Sequence, residues 1–589
     1  MSLPRPEYPR PQLRRDTWLC LNGQWQFVTD PARSGRARGL AKPDSALPRE
    51  INVPFCMESP LSGIGETDFC DAVWYRREIS LPAGWLADGR RVLLHVDACD
   101  WRSEVWVNGK SVGMHVGGYT PATYDITAAL DPASASAVVT ICAEDTLRSC
   151  KQPSGKQSQS YGSHGCFYTR TTGIWQSVWL ESVPAAYIKN VRYLTDVKAG
   201  TLTVEATVAS TIEVTVEATA AADLSGGLTF SAEACYEGRP VGAASTTVTG
   251  GFCTLTLPLS ELHLWNVGEG RLYDLRLTLG EDTVDSYFGM RSLAVRDGML
   301  YINDRPVFQR LVLDQGFYPD GIYTAPTDAE LVADIERSLA CGFNGARLHQ
   351  KIFEPRFLYH CDRLGYIVWG EHANWGLDVS RPEAYGGFMP EWLEALERDV
   401  NHPAIIGWCP LNETQRNQNP DFVRALMALT RTYDPTRPVI DASGWCHVSA
   451  SESDIMDWHD YDQNPVTFRE RYENVARGQA IRSPRNAADI RPVFVSEYGG
   501  IRWAPEGNGW GYGDAPATPE EFLARFEGLT RALLENPCIT GLCYTQLTDV
   551  EQEVNGLYTY DRRPKFDVSN FRRVLSAPAA SETARGKKD

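Results

Sequence analysis

The sequence predicts a chain in three parts: an all-β unit over residues 1–182, a second all-β unit over 183–295, and a (β/α)8 barrel over 296–589. Three observations predict it. The first part has no long amphipathic helix and is punctuated throughout by Gly, Pro and Asp. The second alternates apolar and polar residues at period two. After about residue 296 the rhythm becomes strand, helix, strand, helix, with eight candidate strands in about 290 residues, the size of such a barrel.

In the first unit, "VLLHVDACDWRSEVWVNGK" alternates in places, and Asn108-Gly109 is a hairpin-turn pair. In the second, "TLTVEATVAS" puts Leu202, Val204, Ala206 and Val208 on one face, and "STIEVTVEAT" and "GRLYDLRLTL" repeat the pattern. Its length of about 110 residues suits a small β-sandwich. The eight barrel strands are "FQRLVLD", "GFNGARLH", "GYIVWGE", "IIGWCPLNE", "RPVIDAS", "DIMDWHDY", "PVFVSEYGG" and "ITGLCYTQLTD". Between them, "TDAELVADIERSLACGF" places Leu331, Ile335 and Leu339 on one helical face behind a Thr327/Asp328 cap, and "EFLARFEGLTRALLENP" is a second such helix. The connection from fifth to sixth strand, "GWCHVSASES", is short and poor in helix signal, so the barrel is expected to be irregular there.

Composition narrows the function. A formal net charge of -18, with no basic run beyond the terminal "RGKKD", argues against nucleic acid or an anionic membrane as partner. The start "MSLPRPEYPR" lacks an apolar core, and no apolar run is long enough to span a bilayer, so a soluble, cytoplasmic protein is expected. The 15 cysteines are scattered, odd in number and without a CxxC pair, which reads as reduced thiols. No cofactor motif is present, and no HxH or HExxH spacing supports a metal, so neither is expected.

The chemistry should lie where barrel strands end. Asp314 ends the first candidate strand, Arg347 and His349 the second, and Glu371 the third. Asn412 and Glu413 end the fourth, Asp441 the fifth, His459, Asp460 and Tyr461 the sixth, Glu497 the seventh, and Gln546 and Asp549 the eighth, with Glu551 just beyond. Two carboxylates across a pocket are the equipment of glycoside cleavage, one to protonate the leaving oxygen and one to attack the anomeric carbon. A lone Glu after a strand is more often a salt-bridge partner; the pair Asn412-Glu413 and the exit of "VFVS" into Glu497 raise the functional reading. Trp369, Trp375, Trp408, Trp458, Tyr498 and Trp503 are either core or sugar-stacking platforms. His349 and His459 read as hydrogen-bonded pocket residues.

These residues carry a resemblance covering nearly the whole chain. "LNGQWQF", "VWVNGKSVGMHVGGYTPATYDIT", "TGIWQSVWLE" and "FGMRSLAVRDGMLYIND" resemble signatures of the family 2 glycoside hydrolases, the group of β-galactosidases, β-glucuronidases and β-mannosidases. "ERDVNHPAIIGWCPLNE" resembles the acid/base segment, with Glu413 at the acid/base position, and "VFVSEYGG" the nucleophile segment, with Glu497 at the nucleophile position. The resemblance implies an N-terminal jelly-roll, an immunoglobulin-like sandwich and the barrel, and double displacement with retention. It implies that Asn412 binds the 2-hydroxyl and that Arg347 keeps Glu497 ionised. His349, Asp314, Glu371, His459, Tyr461, Trp503, Gln546, Asp549 and Glu551 are the further candidates for substrate contact.

There are departures. His349 stands two residues after Arg347, where large β-galactosidases have a His three after. The asparagine-x-lysine pair with which β-glucuronidases grip a sugar carboxylate is absent from "TQLTDVEQEVNGLYTYDRRPK". Arg502, Arg562 and Arg563 are the alternative cations for that task. The expected activity is therefore a retaining exo-β-glycosidase acting first on neutral β-galactosides, with β-glucuronides, β-galacturonides or arabinosides as alternatives. A non-catalytic carbohydrate-binding protein is the rival from another class. The partner in either case is a carbohydrate or glycoside, and the sequence is compatible with a homo-oligomer. The segment "CKQPSGKQSQSYGSHGCFYTRTTG", residues 150–173, reads as a surface loop or as a loop reaching over the barrel mouth on the aglycone side.

Overall fold

The computed structural model describes residues 3–210, 227–447, 452–477, 491–505 and 507–585. The N-terminal part is built on a four-stranded and a six-stranded sheet. Strand Ser136–Glu144 pairs antiparallel with Ala72–Ser80 over its full length, and Val139, Ile141 and Ala143 turn inward with Val73 and Tyr75. Asn108 and Gly109 join Arg102–Val107 to Lys110–Val116 with φ of 50° and 77°, the two positive values that this hairpin turn requires.

A three-stranded and a four-stranded sheet follow. Leu202, Val204, Ala206 and Val208 on Thr201–Ser210 are buried together with Tyr273, Leu275, Leu277 and Leu279 on Tyr273–Leu279, the face that the period-two pattern marks. Most of "STIEVTVEAT" lies outside the described residues.

The C-terminal part is a seven-stranded parallel sheet, curled into a barrel. Its neighbours in order are Ile405–Cys409, Ile367–Glu371, Gly345–Leu348, Gln309–Asp314, Ile539–Thr545, Val493–Gly499 and Met456–Asp460. The fifth expected strand, "RPVIDAS", meets its neighbour only through single bridges, Trp408 with Val439 and Asn412 with Ser443. The reason is local. Pro438 has no N–H to give. The N–H groups of Val439 and Asp441 go to the Asp454 carboxylate (2.8 Å) and the Ser453 hydroxyl (3.1 Å) instead of to a sixth strand. Side chains therefore close this edge where a ladder would otherwise stand.

Helix Asp328–Cys341 starts at Thr327, whose hydroxyl accepts the Glu330 N–H, and stops at Gly342 in the left-handed region, φ 99°. Its Leu331 and Ile335 are buried, and Leu339 packs against the same core. Trp369 and Trp408 belong to the barrel core, with their indole N–H groups on Gln309 Oε1 and Asp434 Oδ2, both at 2.7 Å. Among the described residues, no helix is long and apolar enough to cross a membrane.

Candidate active site

Eight of the predicted residues meet at one mouth of the barrel, and Arg347 is their hub. This arginine, fully buried at the end of Gly345–Leu348, donates from Nε to Glu371 Oε2 (2.7 Å) and from its two terminal nitrogens to Glu497 Oε1 (2.9 Å) and Asn412 Oδ1 (2.6 Å). A planar fork with fixed donor directions can hold three groups at once in this way; an ammonium cannot. Glu371 is in turn fixed at its other oxygen, Oε1, which accepts the Gln350 N–H (2.9 Å) and lies 3.1 Å from His349 Nδ1. Burial, with the charges of Lys156 and Arg347 beside it, drives His349 well below the usual imidazole range.

Glu413 leaves the fourth strand with φ 47°, a left-handed conformation that side chains other than glycine seldom adopt, and its N–H is held by Ser443 O at 2.8 Å. That bridge to the fifth segment turns the carboxylate to His459. The imidazole spans the two glutamates: Nδ1 lies 2.6 Å from Glu413 Oε1, and Nε2 lies 3.4 Å from Glu497 Oε1. Nε2 also meets the Ser443 hydroxyl at 3.0 Å. Gly444 (φ 71°) leaves room for this ring, because a Cβ there would stand 2.5 Å from His459 Nδ1. Tyr461 donates its hydroxyl to Glu497 Oε2.

The Glu497 carboxyl is pushed up by burial, but the charges of His459 and Arg347 outweigh this and bring it down to about 2. Oxygens of Glu413 and Glu497 lie within 4.8 Å of each other. Glu413, His459 and Glu497 are also the one group of metal-type donors among the described residues, although both ring nitrogens already serve the glutamate network. Asn412 keeps its Nδ2 buried and without a partner, since Arg347 takes only its oxygen.

Other candidates are turned elsewhere. Asp549 is tied to Lys565 Nζ (2.6 Å) and the Gly556 N–H (2.8 Å). Asp314 accepts from the Gly316 N–H (2.9 Å), beside Asp334 and Arg562. Gln546 donates to Asn555 (2.8 Å), and Trp503 packs on Phe522 and Phe566. Asp441 takes His447 Nδ1 at 2.8 Å, and Asp460 takes Arg471. Arg562 is spent on Phe317 O (2.6 Å), Tyr560 O (2.7 Å) and Asp334 (3.3 Å), and the exposed Arg563 pairs with Asp561 (2.7 Å).

Loop 150–173 reaches the barrel. The N–H groups of Ser154 and Gly155 bond to Trp375 O (2.8 and 3.0 Å), Thr169 N–H bonds to Glu551 (2.9 Å), and the Tyr168 hydroxyl donates to Glu553. Glu551 thus anchors the loop. The reading of strand exits misses Glu553, Tyr168 and Lys156. Only the Gly-, Ser- and Gln-rich composition of the loop hints at the latter two.

The comparisons with known proteins agree with this architecture. "Glycosyl hydrolases family 2, sugar binding domain" matches residues 19–184, "Glycosyl hydrolases family 2" matches 186–291, and "Glycosyl hydrolases family 2, TIM barrel domain" matches 293–516. The β-glucuronidase of Felis catus is 28% identical over 558 residues, 84% of this chain and 79% of that protein. The human β-glucuronidase is 25% identical over 544 residues, 81% of this chain and 77% of that protein. Among solved structures, Ruminococcus gnavus β-glucuronidase in complex with D-glucuronic acid is similar with a TM-score of 0.77 at 19% identity, covering 97% of this chain and 100% of that one. Lactobacillus rhamnosus β-glucuronidase is similar with a TM-score of 0.79 at 19% identity, covering 98% and 100%. With all three of its parts matched in order, the chain belongs to the family 2 glycoside hydrolases and is an exo-β-glycosidase.

Proposed function

We propose that the chain cleaves terminal β-glycosides by double displacement with net retention, and that its glycone is a β-D-glucuronide. The observation that carries the mechanism is the glutamate pair, with oxygens within 4.8 Å and one member held ionised by Arg347. Retaining enzymes separate their carboxyl groups by about 5–5.5 Å, whereas inverting ones leave about 6.5–9.5 Å for a water.

Glu497, its charge held by Arg347 and its carboxylate positioned by the Tyr461 hydroxyl, attacks the anomeric carbon. Glu413 protonates the departing oxygen and then takes the proton of the incoming water, with His459 Nδ1 as its hydrogen-bond partner. The free Nδ2 of Asn412 donates to the sugar 2-hydroxyl, a contact that strengthens as the ring flattens. The relatives named β-glucuronidase, matched over about four-fifths of the chain, support the glucuronide.

The neutral β-galactoside is the second reading. Glu553, buried beside the catalytic pair and acidic, favours it, together with the missing asparagine-x-lysine pair. A panel of nitrophenyl β-glycosides varied at C4 and C6, with NMR of the first-formed sugar, tests both parts. The glucuronide should give the highest kcat/KM, with the β-anomer appearing first. A tenfold preference for the galactoside replaces the first reading by the second, and an α-anomer appearing first removes the retaining mechanism.

A further inference from the structure

If the glycone is a uronide, as proposed above, its carboxylate needs a cation. The arginines considered for the task do not supply one from the protein interior. Arg562 and Arg563 are spent on protein acceptors, and Arg502 is only half-buried. Lys351 and Lys565 are likewise bound, to carbonyls and to Asp549.

Lys156 differs from all of them. It comes from the N-terminal part, in loop 150–173, and is only 6% exposed. Its ammonium lies 4.1 Å over the Trp375 ring, whose indole N–H holds Asn412 O at 3.2 Å, next to Glu413. Among the described residues, no hydrogen bond or ion pair reaches that ammonium, although Glu413, Glu497 and Glu553 all act on its charge. Each of those carboxylates has other company. Glu497 has Arg347 and Tyr461, Glu413 has His459, and Glu553 has the Tyr168 hydroxyl and Asn555 Nδ2 (2.9 Å). A dry ammonium with three unused donors gains most from an anionic acceptor.

We infer that Lys156, delivered across the barrel mouth by the N-terminal domain, binds the carboxylate of a hexuronate glycone and so determines the specificity of the site. Trp375 steadies the cation from below. The placement is close-fitted. Gly155 has φ 57°, and a Cβ on it would stand 2.3 Å from the Gln350 carbonyl oxygen, so the loop reaches this position only with glycine there.

The test is kcat/KM of wild type, K156M, K156R and G155A on nitrophenyl β-D-glucuronide and on the matching glucoside and galactoside, with thermal unfolding of each variant. Losing a charge-assisted hydrogen bond should cost K156M about 10- to 100-fold more on the glucuronide than on the neutral sugars. K156R should lie between wild type and K156M, and G155A should shift selectivity in the direction of K156M. An equal loss on all substrates, or none on the glucuronide, overturns the assignment. A variant that unfolds is replaced by calorimetry of D-glucuronate against D-glucose on wild type at rising salt: a preference for glucuronate that salt does not weaken also overturns it. The wild-type ratio separates the two readings. If wild type prefers neutral sugars tenfold, the uronide proposal falls and takes Lys156 with it. If wild type prefers the uronide and K156M keeps that preference, Lys156 alone falls, and R502A is the next variant to measure.

Discussion

Glu497 and Glu58 are buried to a similar degree, 4% and 2% exposed, and carry opposite chemistry. Glu497, at the barrel mouth, is held down at about 2, while Glu58, against loop 150–173, is pushed up by burial to about 7. Asp145 follows Glu58, raised to about 6. Burial acts the same way in both places; what differs is the company. Glu497 has a guanidinium at 2.9 Å, whereas Glu58 has the Thr172 N–H at 3.1 Å and, among the described residues, no bonded cation. Depth makes an acid neutral, and a fixed positive charge inside that depth keeps it ionised, as the proposed nucleophile must be. The neutral-leaning acids do structural work instead. Asp145 and Asp100 accept Gln152 and Gln157 of loop 150–173, each at 2.7 Å, and Glu58 accepts Thr172, so they hold the loop to the domain that presents it.

Removing Arg347 should break the contrast most strongly. Arg347→Met leaves Glu371 and Glu497 buried without their cation, a cost of about 3–5 kcal/mol that should appear as a large loss of both stability and turnover. The acid limb of the kcat/KM profile should move to higher pH as Glu497 comes to behave like Glu58. Arg347→Lys should recover little, for want of the fork. A rescued profile in the lysine variant would show that charge alone suffices.

The Glu58 side is sharpened by stability against pH. Its folded value lies above the usual 4.5, so its contribution is fully present below that value and is lost as pH rises through about 7. Wild type should lose up to about 3 kcal/mol across that window, and Glu58→Gln should flatten this part of the Tm profile. The Glu497 contribution has the opposite sign: present above 4.5 and lost as pH falls toward 2. An unchanged slope in Glu58→Gln would place the titration elsewhere.

The smallest expected effect is that of Tyr461→Phe. Loss of one hydrogen bond to a charged group should lower turnover about 10- to 100-fold. The acid limb should move far less than in Arg347→Met, since charges, not the hydroxyl, keep Glu497 ionised. Equal shifts in the two variants would remove that distinction.

Much of this was legible in the sequence, for a definite reason. In a parallel barrel every strand exits at the same mouth, so Arg347, His349, Glu371, Asn412, Glu413, His459, Tyr461 and Glu497 could be placed together from strand ends alone. Strand ends do not say which way a side chain turns. Asp549 found Lys565, and Glu551 found the N–H of Thr169, both partners that no local pattern marks. The fifth strand failed as a ladder because Pro438 withholds a donor and the side chains of Ser453 and Asp454 take its neighbours'. Lys156 was hidden for a plainer reason: it arrives from a domain nearly two hundred residues before Arg347, in a loop whose composition reads as solvent-exposed.

The roles of the two glutamates are tested most directly by azide rescue. Glu497→Ala with azide should yield an α-glycosyl azide, because the anion enters from the face that the nucleophile vacates. Glu413→Ala should yield a β-glycosyl azide, because the covalent intermediate on Glu497 still forms and the anion then displaces it. An activated leaving group is the right substrate, since it needs little protonation. The same azide anomer from both variants, or full activity in either without azide, would contradict the assignment of Glu497 as nucleophile and Glu413 as acid/base.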